Sequence, residues 1–388
     1  MLTKLVLKNI NSIKECVINF KKGSYKFLND NVLNEIVNPI AIYGHNGSGK
    51  TSVLRGVGQL IDLLTGAPNN LIPFIVNDFN LRNAIYKNKN PINLLPESIG
   101  TIIVEFTLKD KDFKYTLSTT SRGYVCDESL FVKKERVFHN SNKHGYSYRK
   151  ESGHKSSFIP SLIPMLRQLA SIKIQDSDIQ DAYNYLSSFT FVDLPSQKNY
   201  GSGFVHSKIF SNTTLLELLE KYSDEVKKYL PEYEDYPIYS IKKNSGNLAF
   251  GNEQNKYVLV LEDNDFKEEI NINFISSGML NNSMLLSLVL ATPDNGVLFI
   301  DEIEQALHPT AIEAFLNIVR KKKIQLLFTS HNTHLLQKLR PDQVYFAKWR
   351  KGYSTYYRLS DIYPNIREVN NIEKMYLSNI FERIINEQ

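Results

Sequence analysis

A chain of 388 residues with 42% apolar and 22% charged residues holds enough material for one large or two ordinary domains with a full core, which excludes a disordered or fibrous protein. The net charge of +5 is a small basic bias at this length; it permits contact with nucleic acid without requiring it. The two cysteines, Cys16 and Cys126, lack metal-ligand spacing and suit a reducing compartment, the start of the chain has no signal-peptide core, and no apolar run reaches the roughly 18 residues of a spanning helix. The expectation is a cytoplasmic protein without membrane contact.

In chain order, residues 2–20 alternate in the manner of strands (Leu5, Leu7, then Val17, Ile18, Phe20), with a polar break at 9–14. Ile40, Ala41 and Ile42 form an apolar run that should be a buried strand. It leads into Gly44-His45-Asn46-Gly47-Ser48-Gly49-Lys50-Thr51-Ser52, after which Val53, Leu54, Val57, Leu60, Ile61 and Leu64 recur at helical spacing until Gly66 and Pro68. Strand, G-x-x-x-x-G-K-[ST] loop and helix together are a phosphate cradle. The glycines let successive N–H groups turn inward toward phosphate oxygens, and the helix adds its positive end. Lys50 suits the β- and γ-phosphates of a nucleoside triphosphate, and the Thr51 hydroxyl suits Mg²⁺.

Residues 69–96 are rich in Asn and carry no clear pattern. Residues 101–108 and 113–118 read as an antiparallel pair, with a further strand over 124–132, which suggests a β-layer beside the nucleotide. Residues 140–157 read as an exposed loop or domain edge; His139, His144 and His154 lie in or beside it without helical pairing, as a solvated loop rather than a metal site. Helical patterns over 158–172, 178–189 and 213–230 make the middle a mostly helical insertion. Strand signals return at 238–241, 257–261 and 270–274. Helix and strand then alternate: helices at 280–290, 310–319 and 333–339, strands at 297–300, 325–329 and 344–347. That order is the signature of a mainly parallel α/β sheet.

Val297-Leu-Phe-Ile-Asp301-Glu302 is an apolar run ending in two acids, the place where parallel strands carry functional groups. Asp301 suits the Mg²⁺ sphere and Glu302 a general base for the attacking water. His331 ends the next strand, within reach of a γ-phosphate or that water. Ser276-Ser277-Gly278 precedes an apolar helix and reads either as an ordinary cap or as a γ-phosphate site at a helix start. His308, in Leu307-His308-Pro309, reads as a turn or interface residue. The basic runs 133–136 and 320–323 offer phosphate contacts, although the second also suits the end of a helix.

The set of residues 44–51, 276–279, 297–302, 307–309 and 330–331 resembles the ABC-type ATPase heads of the SMC and RecF group. More closely, with the later stretches 339–346 and 374–378, it resembles the stand-alone ABC-like AAA-family ATPases of bacterial abortive-infection and other anti-phage systems. The resemblance implies an α/β ABC/SMC-like head with a β-layer and a mostly helical insertion. Its expected division is an N-terminal part of the head (1–139), the insertion (140–236) and a C-terminal part (237–388). It further implies that ATP and Mg²⁺ are bound, that Ser276, Ser277 and Gly278 of one subunit complete the phosphate site of another, and that His331 is the switch histidine. It departs from that group in offering no convincing glutamine for the loop that couples nucleotide state to the head; Asn77 and Asn80 are the candidates. The function expected is an ATPase that assembles with copies of itself around nucleotide and regulates a separate effector, a nuclease or toxin, because the chain ends too soon after the last α/β unit to hold one. The alternatives are a RecF-like DNA-binding repair ATPase and a nucleotide-gated scaffold without turnover.

Overall fold

The computed structural model describes residues 1–66, 99–120, 123–149, 157, 161–172, 174–193, 205–206, 215–229, 239–243, 257–263, 266–271, 277–305, 307 and 309–387. Its centre is five parallel strands in the spatial order Thr190–Asp193, Val297–Asp301, Gln325–Thr329, Ile40–Tyr43 and Val344–Arg350. Four of them, Thr190–Asp193, Val297–Asp301, Gln325–Thr329 and Ile40–Tyr43, are buried at every position. An apolar run buried on both faces needs a layer on each side, and successive side chains divide between two cores. Ile40, Ile42, Val297, Phe299 and Leu327 pack with Val53, Leu54 and Val57 of the phosphate-loop helix, Lys50–Thr65. Ala41, Tyr43, Leu298, Ile300, Leu326 and Phe328 pack on the other side, with Leu285, Leu288 and Phe315 from the helices Ser277–Ala291 and Pro309–Lys321.

The sheet does not stop there. Val344–Arg350 pairs antiparallel with Tyr353–Arg358, which touches Ile13–Asn19 through Ser354 and Ile13. The antiparallel order then runs Leu2–Ile10, Ile99–Leu108, Lys111–Thr120, Val125–Val132, Glu135–Ser141 and Gly145–Tyr148. With the short strand Val205–His206 on the far edge, fourteen strands share one hydrogen-bonded sheet among the described residues. The expected β-layer is therefore a continuation of the nucleotide sheet. The polar break expected at 9–14 shrinks to the turn between Ile10 and Ile13, with Asn9 and Asn11 at φ 53° and 52°, a region that Asn tolerates better than most residues.

Several expectations need correction. Within 140–157, residues 145–148 are a strand, because Tyr146 and Tyr148 alternate into the core between polar neighbours. The helix expected over 158–172 begins only at Met165, after Pro164, and the one expected over 213–230 divides at Tyr222 into Leu215–Lys221 and Ser223–Tyr229. Thr190–Asp193, expected as no element at all, is a central strand. The strands expected at 238–241 and 257–261 are found at Tyr239–Lys243 and Tyr257–Asp263, the third lies at Phe266–Asn271, ahead of the expected 270–274, and the three pair with one another in a separate antiparallel sheet. The 333–339 segment is a 3-10 helix, Thr333–Lys338.

The stretch 339–346 acts as a clasp. The Arg340 guanidinium, fully buried, donates to both oxygens of the equally buried Asp342 at 3.0 Å and to the carbonyls of Phe27 and Tyr25 at 2.9 and 3.1 Å. Gln343 bonds Asn31 and Pro39. These contacts hold the chain that leads into the phosphate-loop strand.

Candidate functional site

Strand Ile40–Tyr43 ends at Gly44, and the loop is closed by packing as much as by turn chemistry. A Cβ on Gly44 would stand 2.4 Å from the Ala347 carbonyl; one on Gly49, at φ 99°, would stand 2.0 Å from Ser354 Oγ. Tyr356 donates to the Gly49 carbonyl at 2.7 Å, and Ser12 joins Ser52 and Ser354 at 2.8 and 2.7 Å. Strand Tyr353–Arg358 and the turn between Ile10 and Ile13 thus hold the loop from one side. Gly47, at φ 78°, has open space where its Cβ would be, and the buried Ser48 hydroxyl has no partner among the described residues. An orphaned hydroxyl in an open cradle fits a ligand that brings its own acceptors. Lys50 folds back so that Nζ donates to the carbonyls of Gly44 and His45 at 2.9 and 3.3 Å. Burial lowers its pKa, and the charges of Glu302, Asp301 and Glu304 oppose that shift.

Asp301 is buried at the end of Val297–Asp301. Burial raises its pKa, and the neighbouring charges of Asp193 and Glu302 add to the rise, while hydroxyl donors from Thr329 and Thr51 hold it down. Thr329 Oγ1 donates to Asp301 at 2.5 Å and accepts the Glu302 N–H at 2.8 Å, so one side chain from the adjacent strand sets both acids. Glu302 sits at φ 49°, which turns the chain sharply off the strand, and its carboxylate accepts from Gln305 Nε2 at 3.0 Å. Thr51, whose hydroxyl helps hold the Asp301 pKa down, and Asp301 itself fit the donor set a Mg²⁺–nucleotide needs: one hydroxyl and one carboxylate, with the remaining positions left to phosphate and water.

His331 leaves the end of Gln325–Thr329. Partial burial and the positive charge of Lys50 lower the imidazole pKa, against the pull of Glu304 and Glu302. His45 is exposed and pairs with Glu382 of the terminal helix Ile380–Glu387 at 2.8 Å. Between that helix and the loop lies a cavity of about 190 Å³, lined by Gly44, His45, Phe346, Trp349, Tyr376 and Phe381 among others.

Of the residues expected from sequence, 44–52, Asp301, Glu302 and His331 meet at the carboxyl ends of three adjacent parallel strands. Ser276, His308, Asn77, Asn80 and His154 lie outside the described residues. Ser277 and Gly278 open the helix Ser277–Ala291. His139 bonds Asp127 at 3.1 Å and lies beside His144. The basic run 320–323 is partly committed to packing: Arg320 bonds Asn31 and Asn317, and Lys322 Nζ caps three carbonyls, of Val289, Leu290 and Thr292, at the end of the helix Ser277–Ala291.

Sequence reasoning missed two acids. Asp193 pairs in register with Asp301, is buried, and takes an ion pair from Arg55 at 3.5 Å. Its signal was present: Thr190-Phe-Val-Asp193 is an apolar run ending in an acid, like Val297–Asp301. Glu304 accepts the His331 N–H at 2.6 Å.

Residues 40–337 match the family described as "AAA domain, putative AbiEii toxin, Type IV TA system". No protein of curated function matches the chain in sequence. Among solved structures, an SMC head bound to the C-winged helix domain of ScpA is similar over 93% of this chain and 99% of its own, at TM-score 0.50 and 12% identity. The SMC head domain from Thermotoga maritima gives 0.45 and 13% over 92% and 98%. The recombination mediator RecF with ATP gives 0.36 and 12% over 92% and 99%. At such identities the first of these shows a shared fold, with the large mixed sheet in common.

Proposed function

We propose, from the premise that this chain belongs to the AAA-domain family described as putative AbiEii toxin, Type IV TA system, that it binds Mg²⁺-ATP, hydrolyses it, and assembles with a second copy around the nucleotide. The observation that carries the reading is the meeting of the phosphate loop with Asp301, Glu302 and His331 at the carboxyl ends of three adjacent parallel strands, the two acids being set by Thr329. The loop N–H groups and Lys50 bind the phosphates, Thr51 and Asp301 hold Mg²⁺, Glu302 takes the proton of the attacking water, and His331 orients the γ-phosphate. When bound, Mg²⁺ neutralises charge on the phosphates. General-base action by Glu302 contributes roughly 10² to 10⁴ in rate. Ser276, Ser277 and Gly278 of the second copy complete each site, so assembly gates turnover.

The assembled form regulates a separate effector, a nuclease or toxin, in bacterial anti-phage defence; the AbiEii-type family description supports that direction. We assign it to the cytoplasm, where its two buried, free cysteines stay reduced. Among the described residues no helix is long and apolar enough to cross a membrane. A RecF-like reading, with DNA as partner, draws on Lys133 and Lys134, exposed at the turn between Val125–Val132 and Glu135–Ser141.

The test is Glu302→Gln examined by light scattering during size-exclusion chromatography with Mg²⁺-ATP. The variant is expected to retain ATP and stay assembled while the wild type returns to the free form after turnover. Hydrolysis by the variant at the wild-type rate sinks the base assignment. DNA binding that falls steeply with salt selects the RecF-like partner, and assembly with no turnover in the wild type selects a nucleotide-gated scaffold.

A further inference from the structure

The turn after the acid strand brings a third carboxylate over the neighbouring strand end. Glu302 at φ 49° reverses the chain, the Gln305 N–H returns to the Glu302 carbonyl at 2.8 Å, and Gln305 Nε2 returns to the Glu302 carboxylate. This short closed turn, Ile303–Gln305, sets Glu304 in a defined place. Its Oε1 accepts the backbone N–H of His331 at 2.6 Å, while its Oε2 is shut off from solvent without a partner among the described residues. The same carboxylate acts electrostatically on Lys50 and His331, opposing the fall in both pKa values. A carboxylate present only to stabilise a turn would have both oxygens met, since an unmet buried acceptor is costly. The rest of the 330–334 segment is held by Asn332 N–H on Ser330 Oγ and His334 N–H on Asn332 Oδ1, by the Tyr43 hydroxyl on the Asn332 carbonyl at 3.2 Å, and by Thr333 and His334 on Glu373 at 3.0 and 3.1 Å. The His331 N–H, by contrast, is anchored on Glu304.

We infer that Glu304 is the positioning residue for His331: it ties the backbone from which the imidazole departs to the strand that carries Glu302, so that the two groups keep one spacing across the reacting phosphate. The inference rests on the hydrolytic reading above. Glu304 acts through His331 and does not itself touch the substrate, and its need is for an acceptor oxygen at that distance. A glutamine can supply such an oxygen; an aspartate, one methylene shorter, cannot.

The experiment compares Glu304→Ala, Glu304→Asp, Glu304→Gln, His331→Ala and the Glu304→Ala/His331→Ala pair. Steady-state hydrolysis of Mg²⁺-ATP is measured, together with hydrogen exchange at the His331 amide. Glu304→Ala and Glu304→Asp are expected to lower kcat about 10- to 100-fold with KM within about threefold, Glu304→Gln to recover to within about fivefold of wild type, and the pair to be no slower than His331→Ala alone. Losses that multiply in the pair, or a Glu304→Gln variant as slow as Glu304→Ala, overturn the inference. If Glu304→Ala fails to fold, the contrast between Asp and Gln decides. If the wild type does not turn over ATP, the hydrolytic reading falls on its own, and Glu304 is judged by exchange: the His331 amide is expected to exchange at least about tenfold faster in Glu304→Asp than in wild type and Glu304→Gln, and equal rates overturn the inference.

Discussion

Glu128 should make the fold more stable in mild acid than at neutral pH. It is fully buried on Val125–Val132, where its carboxylate accepts the Tyr115 hydroxyl at 2.9 Å and the N–H groups of Leu166 and Met165, the latter opening the helix Met165–Ser171. That helix abuts the phosphate-loop helix, with Arg167 reaching the Leu63 carbonyl at 3.4 Å. Burial opposes ionisation and three donors favour it; burial wins, and the pKa rises from 4.5 to about 7. Between those values the folded state binds more protons than the unfolded state, so stability falls as pH rises. At about 1.4 kcal/mol per unit, the contribution present below pH 4.5 declines by about 3 kcal/mol once pH passes the folded value of about 7. Glu128→Gln fixes the side chain as neutral and cancels every other titrating group in the comparison. Urea unfolding of both proteins from pH 5 to 8, followed by Trp349 fluorescence, should show the advantage of the wild type shrinking with pH. A difference that stays constant across that range would refute the reasoning.

Two further substitutions probe the supports of the site. Arg340→Met leaves Asp342 charged and buried without its partner, and should cost about 3 to 5 kcal/mol in urea unfolding, much of it recovered in an Arg340→Met/Asp342→Leu pair. Full additivity of the two single losses would mean that the clasp is not a unit. Gly49→Ala forces a Cβ into Ser354 and Ser12 at a left-handed φ, and calorimetric titration should show ATP affinity reduced more than about tenfold. Gly47→Ala meets open space and bears only the backbone strain of about 1 to 2 kcal/mol, so equal effects at the two glycines would discard the packing account of the loop.

The residues that were legible in sequence are those whose chemistry is local. Gly44 to Thr51 declare a cradle because the required φ values, the lysine and the hydroxyl sit within one turn of each other. Val297–Asp301 and Gln325–Thr329 declare buried parallel strands because a short apolar run bounded by polar residues must be covered on both faces, and a strand between two layers does that. The phosphate-loop helix and the α/β alternation of the last third follow from the same periodicity. Weak patterns failed where short polar segments carried only two inward side chains, as at Tyr146 and Tyr148, or where a four-residue strand followed a helix, as at Thr190–Asp193.

What tertiary structure alone decided is which distant groups share a boundary. The join between Tyr353–Arg358 and Ile13–Asn19 turns a separate β-layer into the far half of the nucleotide sheet and brings Ser12, Ser354 and Tyr356 against Gly49. Register alone sets Asp193 beside Asp301, and a single turn sets Glu304 beneath His331. Strand order and register depend on contacts summed across the whole sheet, to which no short stretch of sequence bears a fixed relation. The sequence by itself therefore determined that a phosphate-loop motif, two strand-end acids and a strand-end histidine belong to this chain; only the folded sheet determined what holds them in place.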